Sequence, residues 1–328
     1  MNVQENLKLT SLYQEHLNSN AKMVDFAGWK MPIQYEGILA ETKSVRASAG
    51  AFDVSHMGRV KITGTDAETF LNKITSFDTK SMDDYQAKYG LVCNEAGGII
   101  DDIILYRKSQ EDYLLIPNAS NTTEVLNWID KFKTNEDIEI QNVTESTTMI
   151  SIQGPSSEDA LNDLVAPEKI ELKRFRSTNT QYQGDDIFIG RTGYTGENGF
   201  EIVSQNKIGP AIWNHLLQFG VKPAGLGSRD ILRLEAGLPL HGNEISKDIN
   251  PYQANLQRFV TIERDEYIAK ASLQKIIEKG IDISLIGFKV FDRIIPRHHN
   301  KILNKSNEEI GYVTSGSYSP HLDMSTGM

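Results

Sequence analysis

Apolar and polar positions along this chain switch repeatedly between helical spacing and strict alternation. Leu12, Tyr13 and Leu17 predict a helix over residues 9–17, with His16 on its polar, solvated side. Ile38 and Val45 predict another over 37–49, which Gly50 stops. Further helices are expected over 66–74, from Asn121 through Phe132, from Gly154 to Val165, over 207–219, after a glycine-rich entry within 223–235 and over about 269–279. Asn121 with Glu124 forms an Asn-started capping box. Strands are expected at 59–63, 112–117, 138–143, 149–153, 284–290 and 309–315. Between Ala21 and Tyr35 aromatics crowd around Pro32, and the segment reads as irregular chain laid across a core or pocket. Helices interleaved with returning hairpins predict an α+β fold of antiparallel sheets, not a doubly wound parallel sheet.

One stretch breaks the pattern. Gly90–Cys93 and Ile99–Leu105 are apolar strands around the turn Asn94-Glu-Ala-Gly-Gly98, yet Asp101 and Asp102 stand inside the second strand. Aspartate is depleted in strands because its short side chain competes for backbone hydrogen bonds, so another gain should offset the cost. Alternation sets Asp102 on the face of Ile104 and Tyr106, and Asp101 on the face of Ile103 and Leu105. The carboxylates should therefore diverge, which argues against a shared metal or a shared proton. Either one lies in a pocket or both bond loop amides at a sheet edge.

Three other stretches carry candidate chemistry. Asp53, Ser55 and His56 are too close in sequence to align as a hydrolytic triad, so local Asp–His bonding with a turn at Gly58 is expected. Gly193, Gly196 and Gly199 have the wrong spacing for a nucleotide loop, and a strand follows them, so a tight hairpin presenting Tyr194 and Glu201 is expected. Arg229 and Arg233 share a face at the start of a helix, suited to a carboxylate or to ion pairs with Asp230 or Glu235. Together these residue types suit a flat, polar-edged aromatic ligand with a carboxylate tail.

Bulk properties narrow the options. With 328 residues, two or three domains are expected. A net charge of −10 without a Lys/Arg tract disfavours nucleic acid as a partner. No apolar run approaches transmembrane length, so no membrane association is expected. The single Cys93 excludes an intrachain disulfide and a multi-cysteine metal site, reads as a small core residue, and leaves no metal expected. The first residues, Met-Asn-Val-Gln-Glu-Asn, lack a signal or transit pattern, so a cytoplasmic location is expected.

The runs Met23–Trp29, Phe52–Gly58, Gly97–Asp102, Arg191–Gly196, Ala224–Asp230 and Arg233–Leu240, ordered and spaced from about residue 8 to 245, resemble the glycine cleavage T-protein family, the aminomethyltransferases. The resemblance implies a multidomain folate-binding fold with a small C-terminal β-barrel. It also implies transfer of a one-carbon unit from the aminomethyl-lipoyl arm of H protein to tetrahydrofolate as co-substrate. The products would be 5,10-methylenetetrahydrofolate, ammonia and dihydrolipoyl-H protein. The family's catalytic aspartate maps to Asp102, which would orient the attacking nitrogen and support an iminium-like carbon. The pterin-contacting glutamate maps to Glu201 and the helix-start arginine to Arg229, while Met57, Tyr89, Tyr106 and Tyr194 match positions around the folate.

The expected division is a folate-binding region 1–255, with interleaved subdomains of roughly 1–55 plus 145–255 and 56–144, then a barrel-like 256–328. Past residue 245 the family runs change, at Pro251–Leu256, Tyr267–Lys270 and Ile294–His299, and the barrel is expected to be incomplete, with an open strand edge. A non-enzymatic folate-binding accessory protein and a folate-dependent demethylase are the alternatives. The first usually carries a Lys-Gly-Cys-Tyr-type motif, which this chain lacks.

Overall fold

The computed structural model describes residues 7–292 and 294–328; the N-terminal hexapeptide read for targeting signals lies outside the described residues. The chain forms two compact units, Met1–Gly58 with Asn142–Leu232, and Arg59–Gln141 with Arg233–Met328. Helices and antiparallel sheets build both, as an α+β reading requires.

The first unit is built on a six-stranded sheet. Its order is Ser177–Tyr182, Asp185–Gly190, Gly199–Gln205, Thr147–Gln153, Gly50–Asp53 and Lys222–Pro223. Only the last pairing is parallel. The helices Ser157–Leu164 and Gly209–Phe219 turn Ala160, Leu161, Leu164, Ile212, Trp213 and Leu216 into the core that Ile150, Ile152, Ile189, Phe200 and Ile202 line from the sheet. Each such aliphatic side chain contributes about 1.5–3 kcal/mol by leaving water. An eight-residue helix is too short to persist alone, so this burial is what holds Ser157–Leu164 helical.

Two expectations fail in this unit. Residues 21–35 are not irregular but form a hairpin, Lys22–Phe26 with Trp29–Gln34. Its two turn residues, Ala27 and Gly28, both have positive φ, a mirror-image turn that an alanine conceals in the sequence. His16 is not solvated; it is wholly buried on the helix Tyr13–Asn18.

The second unit holds a five-stranded sheet ordered Gln86–Cys93, Ile99–Ser109, Asp112–Ile116, Val60–Thr63 and Glu139–Asn142. Phe70, Leu71 and Ile74 from the helix Ala67–Ile74, with Val125 and Ile129 from Thr122–Phe132, pack on Ile62, Ile103, Leu105 and Leu115. A second cluster joins Leu91, Cys93 and Ile99 to Ile245, Leu256, Tyr267 and Leu273. Cys93 is thus a core residue, and burial pushes its thiol up to about 12. Toward the C-terminus the strands Phe288–Val290, Met324–Gly327 and Gly316–Ser319 form one sheet, and Lys301–Leu303 pairs with Glu309–Tyr312. The strands expected at 284–290 and 309–315 are therefore shorter than the sequence pattern suggests.

Among the described residues no helix is long and apolar enough to cross a membrane.

Candidate functional site

The hairpin of Gln86–Cys93 and Ile99–Ser109 positions the acids. Asn94 folds the connecting turn on itself: its side-chain oxygen accepts from the Ala96 and Gly98 amides at 2.9 and 3.0 Å. Gly97 supplies the φ of +92° that closes the turn. Pairing runs Val92 to Asp101 and Cys93 to Ile99, so Ile100 is an extra residue, a bulge immediately before the two aspartates. On the other side, the strand Asp112–Ile116 ends with Ile116 opposite Ile104. Asp101 and Asp102 therefore overhang its end and meet the loop that follows.

That overhang overturns the expectation that the carboxylates part company. Asn118, the second residue beyond that strand, offers one side-chain amide to both: Nδ2 lies 2.8 Å from Asp101 Oδ1 and 2.7 Å from Asp102 Oδ1. Their Cα–Cβ bonds do diverge, but a donor at the strand end is reachable from either face. Asp101 is fully buried and also accepts from the Asn118 backbone amide at 2.9 Å and from Asn121 Nδ2 at 2.7 Å. Asn121 therefore serves Asp101 and not the expected capping box, and its helix has no side-chain cap. Asp102 is half-buried and accepts the Tyr89 hydroxyl at 3.0 Å on Oδ2. Burial raises both carboxyls; the Asp102 charge raises Asp101 further, and the amides and Tyr89 only partly oppose this. The Tyr89 ring stands edge-on to Phe259 at 4.6 Å, which fixes its hydroxyl. Tyr106 is buried, 1% exposed, in the same strand as the acids.

The first unit brings together three more of the expected residues. The loop between Asp185–Gly190 and Gly199–Gln205 spans residues 191–198, longer than a tight hairpin, and carries Tyr194. The guanidinium of Arg229, on the helix Leu226–Glu235, lies 4.9 Å from the Tyr194 ring centre. Glu201 is buried on its strand and accepts the Thr192 hydroxyl at 2.5 Å. Burial pulls the Arg229 guanidinium down, and the charge of Glu201 opposes it. Among the described residues Nη1 of Arg229 is a buried donor without a partner. Such an atom costs stability unless an acceptor arrives. Met57 is half-buried, its amide bonded to the Val54 carbonyl at 3.0 Å. Arg233 is not at the surface; it is buried, and bonds Glu244 at 3.1 Å.

Asp53 also finds a different partner from the expected one. His16 Nε2 lies 2.8 Å from Asp53 Oδ2, and its Nδ1 lies 2.9 Å from the Tyr35 hydroxyl. Thr10 Oγ1 and the Ser55 amide donate to the same carboxylate. Burial alone would raise Asp53, but the bonds from His16, Ser55 and Thr10 outweigh it and hold the group at about 2. With all its partners inside the unit, this is scaffold. His56 packs edge-on against Phe26 at 5.4 Å, while the Asp53 carboxylate is bonded by His16, Thr10 and Ser55.

The sequence reading missed Asn118 and Asn121. An asparagine in a strand-to-helix loop reads as a cap, and only the pairing of Ile104 with Ile116 brings these two to the acids.

Comparison with known proteins supplies the context for both groups of residues. A model of the GCVT N-terminal domain matches residues 12–264, and one of the glycine cleavage T-protein C-terminal barrel domain matches 284–328. An aminomethyltransferase of Thermoanaerobacter pseudethanolicus is 40% identical across 99% of this chain and 89% of its own length. One from Caldanaerobacter subterraneus is 41% identical across 99% and 88%. The crystal structure of glycine cleavage system aminomethyltransferase T from Bartonella henselae superposes with a TM-score of 0.92 at 33% identity, covering 98% of this chain and 89% of that one. By sequence and by fold alike, the chain belongs to the glycine cleavage T-protein family, the aminomethyltransferases.

Proposed function

We propose that this protein is the aminomethyltransferase of a glycine cleavage system, acting in the cytoplasm on lipoylated H protein and tetrahydrofolate. The carbon–sulfur and carbon–nitrogen bonds of the aminomethyl-lipoyl arm break, and two carbon–nitrogen bonds form on the folate. Its two amine hydrogens leave with ammonia and the freed dihydrolipoyl sulfur. The observation that carries this reading is the half-buried Asp102, whose raised carboxyl stands on a bulged strand with its orientation fixed by Asn118 and Tyr89.

Asp102 holds the attacking amine in line and sets a negative charge opposite the positive charge that develops on the transferred carbon. Burial raises its carboxyl, which makes it a better proton acceptor toward that amine than a solvated carboxylate. Tyr89, Tyr106 and Met57 are assigned to the folate ring system. Glu201 is assigned to the amidine-like edge of the pterin, which presents donors that a carboxylate accepts. Arg229 is assigned to the carboxylate tail: its unpartnered Nη1 is a donor that an anionic acceptor would satisfy, with Tyr194 beneath the guanidinium.

The test mixes the protein with aminomethylated H protein and tetrahydrofolate and follows ammonia and methylenetetrahydrofolate, expected in equal amounts. Tight folate binding with no ammonia would instead indicate a folate-binding accessory protein.

A further inference from the structure

Gln153 is a fully buried polar side chain at the centre of the six-stranded sheet, and none of the chemistry above uses it. Both of its register partners are glycine, Gly50 on one side and Gly199 on the other. Its Nε2 donates to Ser151 Oγ at 3.0 Å and to the Thr192 carbonyl at 3.2 Å, and its Oε1 accepts from the Thr195 hydroxyl at 2.8 Å. A Cβ added at Gly193 would stand 2.1 Å from Oε1, and one at Gly199 would stand 2.3 Å from Nε2. The loop 191–198 is moulded around this amide, which explains Gly193 and Gly199.

The two residues Gln153 holds lie on either side of Tyr194. Thr192, held by its carbonyl, gives its hydroxyl to Glu201. Thr195, held by its hydroxyl, accepts Arg46 Nη1 on its carbonyl at 2.8 Å, and Arg46 Nη2 reaches the Leu232 carbonyl at 3.3 Å on the helix that carries Arg229. The bonding is directional: one end of the amide must be an oxygen and the other a nitrogen. A packing role alone would not need that polarity, and a buried amide is costly where an apolar side chain would fill the space.

We propose that Gln153 is a positioning residue of the folate site, setting Tyr194 at its height over Arg229 and Thr192 at its distance from Glu201. The proposal rests on the reading that Tyr194, Glu201 and Arg229 hold tetrahydrofolate. Gln153→Met keeps length and volume but removes three hydrogen bonds. Thr195→Val removes one of these three, together with the bond that the Thr195 hydroxyl accepts from the Glu197 amide, and leaves the sheet untouched. Folate affinity by calorimetry, and single-turnover ammonia release at saturating folate, are measured on both.

Gln153→Met is expected to raise the folate Kd about tenfold and Thr195→Val about threefold, both with ammonia release at saturation unchanged. The double variant is expected to lose less than the two single losses combined, because both changes remove the same Gln153–Thr195 bond. A folded Gln153→Met with wild-type Kd overturns the proposal. So does a Gln153→Met that fails to fold beside a Thr195→Val of wild-type Kd. Tyr194→Ala separates the two layers. If it weakens folate while Gln153→Met does not, only this proposal falls; if it leaves folate binding unchanged, the underlying assignment falls too.

Discussion

Asp101 and Asp102 are neighbours in sequence with opposite employment. Asp101 is saturated: three amide donors from Asn118 and Asn121 converge on its two oxygens. Asp101→Asn would turn one acceptor into a donor facing donors, and should cost about 1–3 kcal/mol in urea unfolding. Asp102 accepts only one amide and one hydroxyl on its side chain among the described residues, and Asp102→Asn can satisfy both, its oxygen accepting from Asn118 while the Tyr89 hydroxyl turns from donor to acceptor. Both carboxyls are raised in the folded state, so the folded chain binds their protons more tightly than the unfolded chain does. Their contribution is therefore fully present below the unfolded value of about 4 and is lost as pH rises through the folded value. At pH 7.5 the pair costs stability, and Asp102→Asn should raise the unfolding midpoint. Below the unfolded value of about 4, where both states hold the proton, the gain should vanish. A fall at pH 7.5 would mean that Asp102 is scaffold. Arg229→Ala belongs to this scale as well: it should weaken tail-bearing folate about tenfold or more while a tail-less pterin loses little. Equal losses would remove the tail assignment.

At the scale of elements, the strand Gln86–Cys93 shows how tightly the acid-bearing hairpin is seated. A Cβ on Gly90 would come within 1.9 Å of the Phe77 ring. Gly90→Ala should destabilise by about 1–3 kcal/mol, and a second change, Phe77→Leu, should recover part of that loss. Additive losses would place the strain elsewhere. Most regular elements were legible in the chain because their periodicity is local: Ile38–Ala47, Ala67–Ile74 and Gly209–Phe219 fall where the apolar spacing predicts them. The hairpin over 22–34 was not, because an Ala-Gly turn lacks the Asn-Gly or Asp-Gly signal and Pro32 argues against a strand. His16 was misplaced because its partner, Asp53, is 37 residues away. The acids themselves were conspicuous as charges in an apolar strand. Their convergence on Asn118 was hidden, since it depends on where the neighbouring strand stops.

On the scale of the whole molecule, each unit draws on two separate segments of the chain: the core of the first runs from Leu12 to Val221, and the cluster around Cys93 in the second joins Leu91 and Ile99 to Ile245 and Leu273. The family assignment spans nearly all of the chain. The most direct test compares wild type with Asp102→Asn, measuring folate Kd and single-turnover ammonia release from aminomethylated H protein at saturating tetrahydrofolate. The expected result is a Kd within about threefold of wild type and ammonia release slowed by about 10²- to 10⁴-fold. Ammonia release slowed no more than folate binding is weakened would contradict it.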